Sequence, residues 1–196
     1  MLRWIVPSEK KIPAQPDQNP FQLRVVRGGG QQGIHGRGLG NAVVDGVKLV
    51  SKSNKVACGV TSPRGNNQPG TIRSSISPLA FLRAIKLAGA RGFDAYAHHP
   101  YYGSPAETPN TKPPPGKRGQ PPTAVTLGNF DELVRELTKA YGNMRIWVTE
   151  YGYQTNPPDR IFGVTLSKQA KYLTQAVAVA RAVDDHAVSL RIGVHH

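Results

Sequence analysis

Arg145-Ile146-Trp147-Val148-Thr149-Glu150 reads as a short β-strand that runs into the turn Tyr151-Gly152-Tyr153. Side chains on a strand alternate between its two faces, so Ile146, Val148 and Glu150 belong to one row and Trp147 to the other. The first row is expected to face inward and Trp147 to pack on helices. A carboxylate that continues an apolar row is costly unless it has a partner or a task. Glu150 falls at the carboxyl end of the strand, where active sites gather in parallel α/β folds. A solvated strand-end glutamate is the plain alternative.

Working outward, Asn129 is placed to cap a helix whose first turn holds Asp131 and Glu132. Phe130, Leu133, Val134, Leu137 and Tyr141 recur there at helical spacing, and Gly142 suits its end. The proline-rich stretch 103–126 precedes it and reads as a long loop. Phe93-Asp94-Ala95-Tyr96-Ala97-His98 is a second strand, leading into His99-Pro100-Tyr101-Tyr102. A helix capped by Ser77, with Pro78 first, carries Leu79, Leu82, Ile85 and Leu87 or Ala88 on one face and ends at Gly89. Val56-Ala57-Cys58-Gly59-Val60 is the first strand. Downstream, residues 167–183 form a helix with Ala170, Leu173, Val177, Ala180 and Val183 on one face, and 188–194 offer a closing strand. The β-α-β-α-β-α order predicts an α/β fold with a parallel sheet, either doubly wound or part of a (β/α)-barrel.

The chain has 196 residues, enough for one domain with a buried core. No run approaches the ~20 apolar residues of a membrane span, and Met1-Leu2-Arg3-Trp4-Ile5-Val6-Pro7 is too short an apolar run for a secretory signal. Cys58 is the only cysteine, which excludes an internal disulfide framework and any zinc site built on several thiolates. The net charge of +13 is uneven: residues 1–91 hold 14 Lys and Arg against three acids, and residues 92–196 hold 11 against nine. Residues 1–53 form a basic, glycine-rich segment with no apolar period over 14–50, and no helix is expected there. Residues 54–196 form the predicted α/β unit.

Gly28, Gly30 and Gly33 satisfy G-x-G-x-x-G, but Gly36, Gly38 and Gly40 are expected to break the helix that a pyrophosphate needs, and Asp45 comes early for a ribose carboxylate. His98 and His99 resemble a metal pair. Adjacent strand residues point to opposite faces, however, so at most one faces a given site and no metal is inferred. One of the two is expected at the mouth of a strand, against ligand. The basic residues Arg24, Arg27, Arg37, Lys48, Lys52 and Lys55 allow a nucleic-acid binder, the lesser alternative because no aromatic residues are interleaved with them and no recognition motif accompanies them.

Phe93–Tyr102 and Ile146–Tyr153 together resemble the sixth and seventh strands of the clan A (β/α)8 glycoside hydrolases. Val60-Thr61-Ser62-Pro63-Arg64-Gly65-Asn66 and the helix from Ser77 to Leu87 are similar to the end of strand five, its loop and the next helix in an actinobacterial cellulase-like branch. The resemblance covers residues 56–182, and its most specific part is the Thr-Glu-x-Gly strand end. It implies a partial TIM barrel, from about strand four or five to strand seven or eight. It also implies a retaining glycosidase with Glu150 as nucleophile, and His99 and Tyr101 lining the sugar subsite and orienting that nucleophile.

The family's strand-four signature, Trp-x-x-Trp-Asn-Glu-Pro-Asn, meets only Trp4 and Glu9 in Trp4-Ile5-Val6-Pro7-Ser8-Glu9-Lys10-Lys11, which makes Glu9 the acid/base candidate. His98, Tyr102, Tyr151 and Tyr153 are the further candidates for substrate contact. A carbohydrate is the implied partner and no cofactor is implied. Full-length relatives of this type are expected to be secreted, and uncovered barrel edges to favour self-association. A truncated or frameshifted reading frame would account for the change in composition. The alternative readings are a catalytically silent fragment of the same fold and the nucleic-acid binder.

Overall fold

A computed structural model describes residues 35–68, 70–72, 74–116, 119–183 and 188–190. Helix α1 (His35–Val50) precedes strand β1 (Ala57–Thr61), α2 (Pro78–Leu87), β2 (Ala95–His98), α3 (Phe130–Tyr141), β3 (Arg145–Val148), α4 (Leu166–Val183) and β4 (Val188–Leu190). The four strands form one sheet in the order β1-β2-β3-β4, every pair parallel. The fold is therefore mixed α/β with an open parallel sheet, and the described residues close no barrel. No described helix is long and apolar enough to cross a membrane.

Helix α2 starts as its sequence dictates, with Pro78 in the first turn and Ser77 extended before it. The Ser77 hydroxyl makes no cap bond; Asn67 Nδ2 donates to it at 2.9 Å. Leu82 and Ile85 are buried, and of the two residues offered for the end of the apolar face Leu87 stands 74% exposed while Ala88 is half-buried. The capping ahead of α3 also falls earlier than expected. A 3-10 turn over Leu127–Asn129 intervenes, Thr126 and Asn129 form the capping box, and the Asn129 side chain reaches back to the Thr126 amide at 2.8 Å. Gly142 ends α3 at φ 74, a left-handed conformation that suits glycine.

Three expectations are corrected. The first is α1: a helix runs from His35 to Val50 despite Gly36, Gly38, Gly40 and Gly46. Interior glycines each cost ~1 kcal/mol relative to alanine, and tertiary contacts offset this. Asn41 bridges the Gly89 carbonyl (3.1 Å) and the Arg91 amide (3.0 Å), Val44 is buried, and Lys48 Nζ donates to Asp94 Oδ2 at 2.7 Å. Lys55 meets the other oxygen of Asp94 at 3.3 Å, so Lys48 and Lys55 both pair with a carboxylate at the edge of β2.

The second correction concerns the faces of β3. Ile146 pairs with Tyr96 and Val148 with His98, which puts the four side chains on one face. That face meets the helices, for the His98 ring lies 6.0 Å from that of Phe130 in α3, and Ile146 and Val148 belong to the core with Leu82, Leu133 and Leu137. Trp147 lies on the opposite face. The period of two was right and the layer was inverted.

The third is α4: Ala180 of the expected row is buried and Leu173 and Val183 pack against the core, but the face is centred on Tyr172 and Ala176, which the expected row omits, and Ala170 is exposed. Tyr172 leads because its ring packs 4.8 Å from Tyr153. Strand β4 is described as far as Leu190; the rest of the expected closing strand lies outside the described residues. So do Gly28, Gly30 and Gly33.

Candidate active site

Strand β3 ends at Val148, and Glu150 stands two residues beyond it in the loop, 58% exposed. Its carboxylate therefore escapes the burial cost that an inward row would impose. Two side chains from the segment after β2 reach it. Tyr101 Oη donates to Glu150 Oε2 at 3.0 Å, and His99 Nδ1 lies 3.4 Å from the same oxygen. On its far side, His99 Nε2 is 2.7 Å from Thr149 Oγ1. With the threonine hydroxyl donating to Nε2, the remaining proton sits on Nδ1 and faces Glu150. The Tyr101 phenol is pushed up to about 12, first by burial and then by the neighbouring Glu150 carboxylate. It thus stays a hydrogen-bond donor through the neutral range.

Parallel pairing of β2 with β3 is what joins these groups, since both chains leave the sheet at the same end. Glu150, His99 and Tyr101, which the resemblance names for one subsite, are thereby brought together. Thr149 was visible in the same motif without a role, and its bond to His99 supplies one.

His98 is corrected as a ligand contact. It is fully buried, its Nε2 donates to the Val125 carbonyl at 3.0 Å, and its Nδ1 accepts from Thr61 Oγ1 at 2.8 Å. Burial pushes its imidazole down to about 4, so it is neutral near pH 7. The two histidines do diverge, one into the core and the other towards Glu150.

Tyr151 and Tyr153 are likewise corrected as cleft walls. Both are buried, with Tyr151 Oη donating to Tyr153 Oη (3.3 Å) and Tyr153 Oη to the Glu107 carbonyl (3.0 Å). Tyrosine brings a large apolar ring and a hydroxyl that finds a partner when buried, so an aromatic run beside a site can equally be core. Tyr102 stacks on Tyr153 with ring centroids 4.2 Å apart, donates to the Phe162 carbonyl and accepts from the Gln154 amide. It ties the two loops together from a half-buried position. Glu9 lies outside the described residues.

Arg64 lies in the Val60–Asn66 stretch of the resemblance but is given no role there, yet it ties the β1 loop to the Tyr101 segment. Its Nη2 donates to Glu107 Oε2 at 2.8 Å and its Nη1 to the Tyr101 carbonyl at 3.1 Å. Glu107 also accepts from the Gly103 amide at 2.9 Å, so this second carboxylate is held as an ion-paired acceptor. Among the described residues no group of three His, Cys, Asp or Glu could hold a metal ion. No protein-family model, curated protein or solved structure matches this chain.

Proposed function

We propose that this chain carries the nucleophile side of a retaining glycoside hydrolase site acting on a β-linked polysaccharide or glycoside, within an arc of a (β/α)-barrel. The observation that carries the proposal is the Glu150 carboxylate at the carboxyl end of a parallel sheet, receiving the Tyr101 hydroxyl at 3.0 Å. A nucleophilic carboxylate must be ionised and must keep one oxygen free to attack. Tyr101 and His99 engage Oε2, and exposure leaves Oε1 open to an anomeric carbon. Retention needs a second carboxyl group ~5–5.5 Å away to protonate the departing oxygen. Glu9 is the proposed source of that proton.

A silent, sugar-binding version of the same site is the second reading. It is favoured by the described partners of Glu150, which are Tyr101 and His99 and include no second carboxyl group, while Glu107 is committed to Arg64. One experiment separates the two. The whole chain is incubated with 2-deoxy-2-fluoro glycosides carrying a dinitrophenyl leaving group, which departs without a proton donor. Intact mass and peptide mapping should find an adduct on Glu150. Saturable binding of the same glycosides without an adduct would favour the silent site, and neither binding nor an adduct across gluco, manno, xylo and galacto donors would reject both.

A further inference from the structure

Arg64 is fixed before it reaches the site. The Pro63 carbonyl accepts from the Val125 amide at 2.8 Å, and a side chain on Gly65 would collide with the backbone of Ile76 and Ser77. From that anchored turn the guanidinium extends to the segment after β2. Its fork engages the Glu107 carboxylate and the Tyr101 carbonyl together, and a Cβ on Gly103 would come within 2.5 Å of Nη2. The guanidinium thus packs against the Gly103 backbone, in space that a side chain at 103 would contest. Glu107 is held in turn by the Gly103 amide, and its own carbonyl takes the Tyr153 hydroxyl. The residue whose carbonyl Arg64 grips is the residue whose hydroxyl meets Glu150.

We propose that Arg64 is a positioning residue: its guanidinium, locked on Glu107 and lodged over Gly103, holds the Tyr101 backbone so that the Tyr101 hydroxyl stays on Glu150. A planar fork with two partners fixes direction as well as distance, which a lysine or an amide does not. The inference rests on the site geometry and holds whether or not the site cleaves glycosides.

The test reads the Tyr101 phenol in the full chain through its 13Cζ resonance at pH 10.5, where an ordinary phenol of pKa ~10 is mostly phenolate. The ionisable groups facing this phenol are Glu150 and, across an edge-on ring contact of 6.2 Å, His99. Wild-type Tyr101 should be almost wholly protonated. Removing a nearby cation by itself disfavours phenolate and keeps the signal protonated, whereas losing Glu150 favours phenolate. The signs are opposite. Arg64→Gln should therefore shift Tyr101 towards phenolate, as Glu150→Gln does, and add nothing in the Glu150→Gln background.

A Tyr101 signal in Arg64→Gln that stays protonated, or a shift of equal size in both backgrounds, would overturn the proposal. Should Arg64→Gln fail to fold by its amide spectrum, Gly103→Ala carries the same expectation, because its methyl displaces the guanidinium and keeps the charge. The glycoside labelling stands apart from this readout, so an absent adduct and an unmoved phenol are separate failures.

Discussion

The two ends of the sheet hold carboxylates in opposite conditions. Asp94, just before β2, receives Lys48, Lys55 and the Val56 amide, and the Lys48 ammonium above all holds its carboxyl down at about 2. Glu150, just after β3, has one hydrogen bond and a histidine at 3.4 Å, and is 58% exposed where Asp94 is 23%. A carboxylate with every direction filled joins parts of a fold. One left with an open oxygen beside a proton donor is available to a ligand. The contrast ties one end to the hold on α1 and leaves the other with an exposed carboxylate oxygen, and each half can be broken separately.

The largest expected effect is at Glu150. Glu150→Gln should abolish fluoroglycoside labelling altogether, and because the side chain is exposed the unfolding free energy from urea titration should change by less than ~0.5 kcal/mol. A loss of several kcal/mol would make Glu150 structural and erase the contrast between the ends.

Next comes His98, inside the sheet beside the site. It is depressed to about 4 in the folded protein against ~6.5 when unfolded. Above pH 6.5 both states are neutral there and the residue adds no pH dependence. Between 6.5 and 4 the unfolded chain takes up a proton that the native core refuses, so stability falls as pH falls, by about 3 kcal/mol in all. Urea titrations at pH 7, 5.5 and 4.5 measure this, and a flat profile would place His98 in contact with water rather than in the core.

These residues also show what the sequence could and could not tell. Short strands and α2, α3 and α4 follow from local periods, and Glu150 and His99 stand out as candidates by lying at strand ends, whereas Tyr101 joins them only through the resemblance of its segment to a known family. The period of two fixes which residues share a face but not which layer that face meets, hence the inversion of Trp147 against Ile146 and Val148. Helix α1 was hidden because its glycines argue against it locally, while Asn41, Val44 and Lys48 secure it to residues over forty positions away. Arg64 was hidden for the same reason, since its partners Tyr101 and Glu107 lie far along the chain.

At the other end, Asp94→Asn keeps the shape and removes the charge. Charged hydrogen bonds contribute ~1.5–3 kcal/mol each when one partner is lost, and partial exposure of Lys55 reduces its share. The expected loss is ~2 kcal/mol, with α1 amides exchanging faster than those of α3 in hydrogen-exchange measurements. Labelling of the folded protein should be intact. Uniform loss of protection across α1 and α3 would show that Asp94 does not serve the α1 attachment in particular.

The smallest effect concerns the upper end of β1, where the ladder shifts between Gly59 and Thr61 and Val60 takes φ 50. A β-branched residue in the left-handed region carries ~1–2 kcal/mol of strain. Glycine relieves it at an entropic cost of ~0.5–1 kcal/mol in the unfolded chain. Val60 is 55% exposed, so little packing is lost, and Val60→Gly should stabilise the protein by about 0.5–1 kcal/mol. Gly59→Ala is the opposite case. Its φ of 105 and a Cβ within 2.6 Å of the Tyr96 ring make any side chain there costly. Stabilisation at position 60 together with destabilisation at position 59 would locate backbone strain at the end of the sheet that holds Glu150, whereas a loss of stability in Val60→Gly would mean that the valine side chain, and not the bulge, is what this position requires.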